Sequence, residues 1–370
     1  MRIAVAFGTR PEAIKLFPVI RALQHAPGVE PCIWVLGQHR QMLQRVLRLC
    51  AITPDLDLDI MTEGQTLADI MTRVLTLLPP VLAERRPDCL MVQGDTTSAC
   101  AAALAAYFAK IPVAHVEAGL RSHDIYAPWP EEVNRRCISA LATWHFAPTE
   151  RAREVLLREG APPRRVLVTG NTVIDALHDF RDRLEAGLPS GLEQLCPGLD
   201  PQRRLIVVTG HRRESFDGGI ERVCQALLAL AQRADVQIVF PVHPNPQVRE
   251  PVARLLADQP NVVLLQPLDY LPFVDLLRRS YLILTDSGGI QEEAAALGKP
   301  ALVMRDTTER PEGVDAGTAR LVGTETARIV AEAERLLDDA AHHRAMSRAH
   351  DAYGDGHASA RIVEALLARE

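Results

Sequence analysis

Carboxylates and histidines occur in this chain just after apolar runs, and such groups can perform acid–base chemistry on an anionic substrate. Asp95 and Glu117 each follow an apolar run, Glu131 opens a helical pattern, and His211 follows a glycine after another run. Three of them also have an ordinary structural explanation: a helix N-cap for Asp95, an i,i+4 surface pair with Arg135 for Glu131, or a hydrogen-bonded loop histidine for His211. Glu117, flanked by small residues at a strand end, is of a kind that is more often a site residue than a packing one. The residue types alone leave both explanations open.

A second motif, Ser287-Gly288-Gly289, lies between an apolar run that predicts a buried strand and the helical pattern that follows. Ser287 can cap that helix, and the two glycines leave backbone N–H donors open at its positive end, which suits an anion. Glu292 and Glu293 come one turn later, and carboxylates suit sugar hydroxyls. A diphosphate joined to a ribose is the simplest ligand with both features, and an ordinary strand–turn–helix unit is the alternative.

Local cations must accompany an anionic ligand, because the chain as a whole has a net charge of −6. That charge argues against bulk nucleic-acid binding. Arg10 and Lys15 follow the first apolar run, and Arg310 follows a late one. The first strand lacks a G-x-G-x-x-G, and the chain has no Walker A lysine loop, zinc-ligand spacing or G-x-S-x-G elbow. Dinucleotide, ATPase, metal and serine-hydrolase chemistry are therefore disfavoured.

Short apolar runs alternate with helical patterns, which predicts parallel sheets covered on both faces. The predicted strands are residues 2–8, 31–36, 88–94, 112–116, 144–147, 165–169, 204–208, 236–242, 261–265, 281–285 and 300–304. A Gly- and Pro-containing stretch at 183–203 predicts a linker between domains at 1–182 and 204–350. The fold class is thus α/β, with two doubly wound Rossmann-like domains facing a central cleft, where ligands bind beyond the carboxyl ends of the strands.

Composition places the chain among globular proteins of two domains, with 370 residues, 47% hydrophobic and 24% charged. Its seven cysteines are scattered without a C-x-x-C, which is typical of a reducing cytoplasm. The longest apolar stretch, 99–109, is too short to span a bilayer, and the N-terminus shows no leader pattern. We therefore expect a cytoplasmic protein with no membrane partner.

Nine motifs together resemble the non-hydrolysing UDP-N-acetylglucosamine 2-epimerases. They are residues 7–13, 38–40, 94–97, 115–121, 130–135, 170–175, 210–214, 285–293 and 308–312. Any one motif is weak, but nine in this order are highly specific, and they extend over most of the chain. The resemblance implies a glycosyltransferase-B architecture, usually a homodimer, with a terminal helix at 351–370 that returns to the first domain.

The same resemblance implies a reaction without a nicotinamide or other cofactor. UDP is eliminated from UDP-N-acetylglucosamine to leave a 2-acetamidoglucal, and is then added back so that C2 receives its proton on the other face. The resemblance makes Asp95, Glu117 and Glu131 the candidates for the acid and base groups, and which carboxylate serves which face stays open. Arg10 and His211 are candidates, with the Gly288 and Gly289 amides, for stabilising the departing pyrophosphate.

By the same resemblance, Glu293 should hold the ribose, Phe273 should lie beside the uracil, and Arg310 should bind UDP. Ser287 and Lys15 complete the expected substrate-binding set. Some members of the family are activated by a second UDP-N-acetylglucosamine in an adjacent pocket. The residues that match or nearly match that pocket are Gln38, His39, Gln41, Glu131, Arg212 and His243.

Three alternatives remain at the level of sequence. One is a 2-epimerase of a related UDP-2-acetamido sugar such as a diacetamido uronate, although no obvious extra cation for a uronate is present. A second is a glycosyltransferase on the same fold, which several clustered carboxylates disfavour because an inverting transferase needs one base. The third is a catalytically silent UDP-sugar sensor, which the intact acid and base candidates disfavour.

Overall fold

The computed structural model describes residues 1–38, 40–210 and 218–368, and for residues 40–42 it describes only the backbone. The chain divides into two units, Met1–Ala176 with Tyr353–Glu370 and Leu177–Ala352. The division lies inside a helix, α7 (Thr172–Glu185), which the sequence patterns did not predict. Its last residues belong to the segment predicted as a linker, and a short helix, α8 (Leu192–Leu195), lies further along that segment.

The first unit is built on seven strands and the helices between them. The strands are β1 Arg2–Phe7, β2 Glu30–Val35, β3 Leu56–Asp57, β4 Cys89–Gln93, β5 Val113–Val116, β6 Trp144–Ala147 and β7 Val166–Val168. The helices are α1 Arg10–His25, α2 Arg40–Leu49, α3 Leu67–Arg85, α4 Thr97–Phe108, α5 Glu131–Leu141, α6 Glu150–Arg158 and the start of α7. A short 3-10 turn at Pro163–Arg165 precedes β7.

All seven strands are parallel, in the order β3-β2-β1-β4-β5-β6-β7. The order reverses between β1 and β4: β2 and β3 continue the sheet on one side of this point, and β5, β6 and β7 continue it on the other. Loops that leave the carboxyl ends of two such strands diverge and leave a crevice, which is the usual ligand position in a doubly wound sheet. The loop after β4 carries Asp95, and Arg10 is the first residue of α1, directly after the loop that follows β1; both are predicted site residues.

Packing in the first unit explains why α4 is rich in alanine. Ala99, Ala101, Ala102 and Ala103 are fully buried, together with the inward residues of β1 and β4. Both α3 and α5 pack against α4. A helix buried on several sides must present small side chains, because larger ones would keep its neighbours apart.

The terminal helix, α16 (Ala358–Leu367), belongs to the first unit and packs against α1. Its own N-cap residue gives no side-chain hydrogen bond, and Asp175 of α7 replaces it. The Asp175 carboxylate accepts the amides of Ser359 at 2.7 Å and Ala358 at 3.2 Å. Two of the otherwise unsatisfied N–H groups at the start of α16 are thus satisfied by a residue distant in sequence.

The second unit repeats the plan with a six-stranded parallel sheet. Its strands are β8 Arg204–Thr209, β9 Val236–Pro241, β10 Val262–Leu265, β11 Leu282–Thr285, β12 Ala301–Val303 and β13 Ala319–Leu321, in the order β10-β9-β8-β11-β12-β13. Its helices after α8 are α9 Gly219–Leu230, α10 Pro246–Leu256, α11 Tyr270–Arg279, α12 Gly288–Ala296, α13 Pro311–Asp315, α14 Thr326–Asp338 and α15 Ala340–Met346. Here the order reverses between β8 and β11, so the loop before α12 leaves the sheet at this reversal.

The predicted fold class of two doubly wound parallel α/β domains is confirmed, and each predicted strand is present. The sequence patterns missed the edge strands β3 and β13, because each contains a charged residue, Asp57 or Arg320, and so forms no continuous apolar run. All seven cysteines are free. Within the described part of the chain, no helix has the length and apolar character needed to cross a membrane.

Candidate active site

The crevice of the first unit is organised by Glu12, a residue to which sequence reasoning assigned no role. Its carboxylate accepts the amides of Gly8 at 3.1 Å and Thr9 at 2.7 Å in a capping box at the start of α1. It also accepts the hydroxyl of Thr96 at 2.9 Å, next to Asp95. Glu12 therefore ties the loop after β1 to the loop after β4. Burial raises its pKa to about 7, although these hydrogen bonds act in the opposite direction.

Asp95 lies at the end of the loop after β4, and it is not the N-cap of α4. That position belongs to Thr96, whose side chain accepts the amide of Ala99. Asp95 instead pairs with the buried Arg135 of α5, whose Nε and Nη2 donate to its Oδ2 at 3.0 and 2.5 Å. Asn134 donates to the backbone carbonyl of Asp95 at 2.9 Å. The surface-pair explanation of Arg135 is wrong, because its guanidinium points inward to this carboxylate.

Glu117 follows β5 and adopts a left-handed backbone conformation, with φ of 64°. This conformation is unfavourable for a residue with a Cβ, and such residues concentrate at functional sites. The carboxylate is buried and its Oε2 pairs with Lys15 Nζ at 2.5 Å. Gln93, the last residue of β4, donates to the same oxygen. Lys15 was predicted as a cation for phosphate, and the structure places it on Glu117.

The start of α5 carries two neighbouring glutamates with different surroundings. Glu131 is partly buried at the first helical position, whereas the Glu132 side chain is fully buried. Glu132 accepts the amides of Ser122 at 3.0 Å and His123 at 3.2 Å. Sequence reasoning selected Glu131 and gave Glu132 no role, because adjacent helical residues look alike until the docked face of the helix is known.

The second unit places its Gly-Gly motif at the reversal of strand order, where an anion-binding helix start was predicted. Ser287 occupies the N-cap position of α12, but its side chain makes no capping hydrogen bond, so the predicted capping role is wrong. The Ser287 amide instead donates to the Thr285 hydroxyl at 3.0 Å. A Cβ on Gly288 would lie 2.7 Å from Cζ of Arg310, whereas a Cβ on Gly289 would meet nothing within 4 Å. The absence of a side chain at Gly288 thus leaves room for the Arg310 guanidinium, and the space beside Gly289 is open.

Arg310 is buried within a network of four charged side chains. Its Nε donates to Glu292 at 2.8 Å and its Nη1 to Glu309 at 2.7 Å, while Arg305 donates to the other oxygen of Glu309 at 2.7 Å. Two cations therefore face two carboxylates beside the start of α12. Sequence reasoning treated Glu292 as a group for sugar hydroxyls, and the structure pairs it with Arg310.

Glu293 is buried and accepts the hydroxyl of Tyr270, the first residue of α11, at 2.8 Å. Tyr270 also packs edge-on against Phe180, with ring centroids 5.2 Å apart. Phe273 lies one turn along α11 and is partly buried against the core under the sheet. These contacts place two of the predicted nucleoside-binding residues near the start of α11.

The residues predicted for a second pocket are described only in part. Gln38 accepts the hydroxyl of Ser98, in the first turn of α4, at 2.7 Å. The exposed His243 follows β9 and accepts the amide of Asn245 at 3.2 Å. His39, His211, Arg212 and the side chain of Gln41 lie outside the described residues.

Two doubly wound parallel α/β units, each with polar groups gathered at its reversal of strand order, define a glycosyltransferase-B type of protein. Residues 21–367 match the family model described as UDP-N-acetylglucosamine 2-epimerase. The chain is 56% identical over 369 residues to UDP-N-acetylglucosamine 2-epimerase of Escherichia coli strain K12, covering 99% of this chain and 98% of that one. The chain belongs to the UDP-N-acetylglucosamine 2-epimerase family.

Solved structures agree with this assignment. The crystal structure of UDP-GlcNAc 2-epimerase from Neisseria meningitidis bound to UDP-GlcNAc superposes with a TM-score of 0.96 at 47% identity, covering 100% of both chains. The enzyme from Methanocaldococcus jannaschii, in complex with UDP-GlcNAc and UDP, has a TM-score of 0.85 at 32% identity, covering 99% of both chains.

Proposed function

We propose that this protein reversibly converts UDP-N-acetylglucosamine to UDP-N-acetylmannosamine by inverting C2 of the sugar. The observation that carries the proposal is the similarity, over the whole chain and with a TM-score of 0.96, to a relative whose structure is bound to UDP-GlcNAc. The carboxylates of the first unit and the open helix start of the second supply acid–base and anion-binding groups of the kind this reaction needs.

The reaction requires loss of UDP because the C2 proton is not α to a carbonyl. Breaking the C1–O bond to UDP draws the sugar towards an oxocarbenium ion, which makes the C2–H bond more acidic. Transfer of that proton to a base leaves a 2-acetamidoglucal and UDP. The reverse addition delivers a proton to the opposite face of C2 and re-forms the C1–O bond, so that UDP and one proton leave and return.

We assign the proton transfers to Asp95, Glu117 and Glu131. In support, Asp95 and Glu117 lie at the ends of adjacent strands, and each is held by a cation. Such pairing orients a carboxylate without consuming both of its oxygens. We assign Arg10 and His211 to the pyrophosphate, whose negative charge grows as the C1–O bond breaks. Lys15 then acts by orienting Glu117 and by adding positive charge beside it.

We assign UDP binding in the second unit to the start of α12 and to Arg310. The open space beside Gly289 supports this assignment, because a phosphate can approach the free amides there. Gly288 contributes its backbone amide, and Ser287 contributes its hydroxyl, which makes no capping hydrogen bond. We assign Glu293 to the ribose and Phe273 to the uracil, since the start of α11 brings both near Tyr270.

We also propose that the protein is a homodimer that associates through its first unit. Most of the large apolar side chains that are exposed among the described residues belong to this unit, including Tyr107 and Phe108, which are 56% and 66% exposed at the end of α4. Covering such groups is a common source of dimer stability. Tyr107→Glu should yield a monomer in light-scattering chromatography, and a variant that stays dimeric would contradict this surface.

Activation by a second UDP-N-acetylglucosamine, through Gln38, His39, Gln41, Glu131, Arg212 and His243, is a further proposal. It predicts a sigmoidal dependence of rate on substrate, which Gln38→Ala and His243→Ala should weaken. A hyperbolic dependence in the unaltered protein would contradict it.

We also propose a cytoplasmic location for the protein. Its free cysteines support this location, because thiols stay reduced in the cytoplasm.

The deciding experiment is incubation with UDP-N-acetylglucosamine in D₂O. Deuterium at C2 of both recovered UDP-sugars is the expected result, and recovered sugar without label would refute the proposal. Free UDP formed in step with a glycosylated acceptor would instead indicate a glycosyltransferase. Preferential labelling of a UDP-diacetamido uronate would indicate the related epimerase.

Substitutions of the acid and base groups test the assignments within that activity. Asp95→Asn, Glu117→Gln and Glu131→Gln should each lower the turnover number by about 10²–10⁴-fold. Near-normal turnover in all three would remove the carboxylates from the mechanism. Arg10→Ala should weaken UDP binding while the unfolding midpoint stays close to that of the unaltered protein.

A further inference from the structure

The start of α5 holds a buried ion cluster, of which the mechanism above uses only the pairing with Asp95. Glu132 and Arg135 lie on the inward side of the helix, with side chains 0% and 5% exposed. Arg135 contacts both Glu132, at 3.4 Å, and Asp95, at 2.5 Å. We infer that Arg135, held by Glu132, is a positioning residue that sets the orientation of the Asp95 carboxylate towards the substrate, an inference that rests on the proposed epimerase function.

The geometry of the contact determines which oxygen of Asp95 is used. Arg135 donates to Asp95 through Nε and Nη2, and both bonds go to Oδ2. Asn134 donates to the backbone carbonyl of Asp95. No hydrogen bond reaches Oδ1 from any residue within the described ranges. A carboxylate anchored through one oxygen by a planar guanidinium keeps the other in a defined direction. Because the Asp95 side chain remains 26% exposed, this second oxygen can meet a ligand.

Glu132 gives Arg135 a fixed counter-ion and joins it to a second loop. Its carboxylate accepts the amides of Ser122 and His123, which follow β5 and Glu117 in the chain. Burial alone would raise the Glu132 pKa, but the Ser122 amide, Arg136 and Arg135 outweigh it, so the pKa lies below its usual value. The group is therefore charged when the enzyme works, and it links the loops that carry Asp95 and Glu117.

Orientation matters here because a proton transfer tolerates little error. A displacement of about 1 Å in a catalytic group can reduce the rate by about 10²-fold. Without Arg135, the Asp95 carboxylate could rotate about its Cβ–Cγ bond, since its other anchor acts on the backbone. Arg135 should therefore affect the turnover number more than substrate affinity.

Arg136 provides a matched control on the same helix. It donates to Glu132 Oε1 through Nε at 2.9 Å and Nη2 at 2.7 Å, but its side chain is 39% exposed and its ion pair is with Glu132, not Asp95. Removing Arg136 thus disturbs the same buried carboxylate without loosening Asp95. A purely structural role for the cluster predicts similar losses of activity from both arginines.

The test compares Arg135→Gln, Arg135→Lys and Arg136→Gln for turnover number, KM for UDP-N-acetylglucosamine, label uptake at C2 in D₂O, and unfolding midpoint. We expect Arg135→Gln to lower turnover about 10²-fold with KM within about 3-fold, and Arg135→Lys to recover part of the loss. Arg136→Gln should stay within about 3-fold of the unaltered protein. Should Arg135→Gln fail to fold, Arg135→Lys decides the question, because it keeps the charge but lacks the fork.

A double substitution separates positioning from general stabilisation. In an Asp95→Asn background, Arg135→Gln should cause little further loss, since residues that act as one unit are not additive. A full additional loss, or an Arg136→Gln variant as impaired as Arg135→Gln, would overturn the inference. Absence of C2 labelling by the unaltered protein would be a failure of the proposed function, and it is seen before any variant is compared.

Discussion

The surroundings of Glu12 predict that the free energy of unfolding falls as the pH rises. One substitution, Glu12→Gln, should remove this dependence. Its side chain is buried, with an exposed fraction of 1%, and its hydrogen-bond donors are two amides and a hydroxyl, all of them neutral. No cation among these partners balances the charge, so burial raises the pKa from 4.5 to about 7. Glu12→Gln keeps the shape and can still accept both amides, but it does not titrate.

The direction of the effect follows from proton binding. Between pH 4.5 and about 7 the folded protein retains a proton on Glu12 that the unfolded chain has lost. The stability from this group is therefore fully present below pH 4.5 and is lost as the pH rises to about 7. A shift of this size corresponds to about 3 kcal/mol in the free energy of unfolding. The difference in unfolding free energy between Glu12→Gln and the unaltered protein should therefore shift in favour of the variant by up to that amount between pH 4.5 and about 7, and should stay constant above this range.

Tryptophan fluorescence reports this change without interference from the second unit. Trp34, Trp129 and Trp144 are the three tryptophans of the chain, and all belong to the first unit. Urea unfolding of both proteins at several pH values between 5 and 8 gives the difference in unfolding free energy directly. Glu154→Gln, on the exposed face of α6, serves as the matched control. A difference for Glu12→Gln that stays constant or falls with rising pH would refute the reasoning.

Three further predictions concern the contacts that build the two units. Gly288→Ala should lower the unfolding midpoint and weaken UDP binding at least about 10-fold in calorimetry, because it displaces the guanidinium beside it, whereas Gly289→Ala should leave the unfolding midpoint unchanged; equal unfolding midpoints for the two variants would contradict this. Asp175→Ala should cost about 1–2 kcal/mol of stability and speed amide exchange in α16, and unchanged exchange there would exclude the cap. Arg310→Met removes a cation that contacts the buried carboxylates of Glu292 and Glu309 and should cost about 3 kcal/mol, while Arg254→Met, from an exposed pair, should cost under about 1 kcal/mol in the same denaturation assay.

Sequence patterns predicted most of the strands because strand formation depends on local periodicity. Each predicted strand is an apolar run between polar turns, and each is present in one of the two sheets. The missed edge strands β3 and β13 contain charged residues, Asp57 and Arg320, which interrupt such a run. Helix α7 was missed although its buried residues Val173, Leu177 and Phe180 have helical spacing, because the neighbouring Gly and Pro residues suggested a linker.

The candidate site was predictable in its residue types but not in its pairings. The carboxylates at strand ends and the Gly-Gly helix start were identified from sequence, and the family resemblance is confirmed by relatives covering the whole chain. The partners were not identified: Arg135 with Asp95, Lys15 with Glu117, and Glu292 with Arg310. All three pairs join residues that are distant in sequence. In the third pair, Glu292 lies on α12 and Arg310 occupies the N-cap position of α13.

By itself, the sequence determined two doubly wound α/β domains and the positions along the chain where chemistry could occur. Only the tertiary structure decided that Glu132 is buried beside the partly exposed Glu131, that Thr96 and not Asp95 caps α4, and that Glu12 lies between two loops. The physical reason is that strand and helix formation depend on residues a few positions apart. Burial and ion pairing depend on which faces meet, and those faces can be more than a hundred residues apart, as in the pair of Lys15 with Glu117, which are separated by 102 positions.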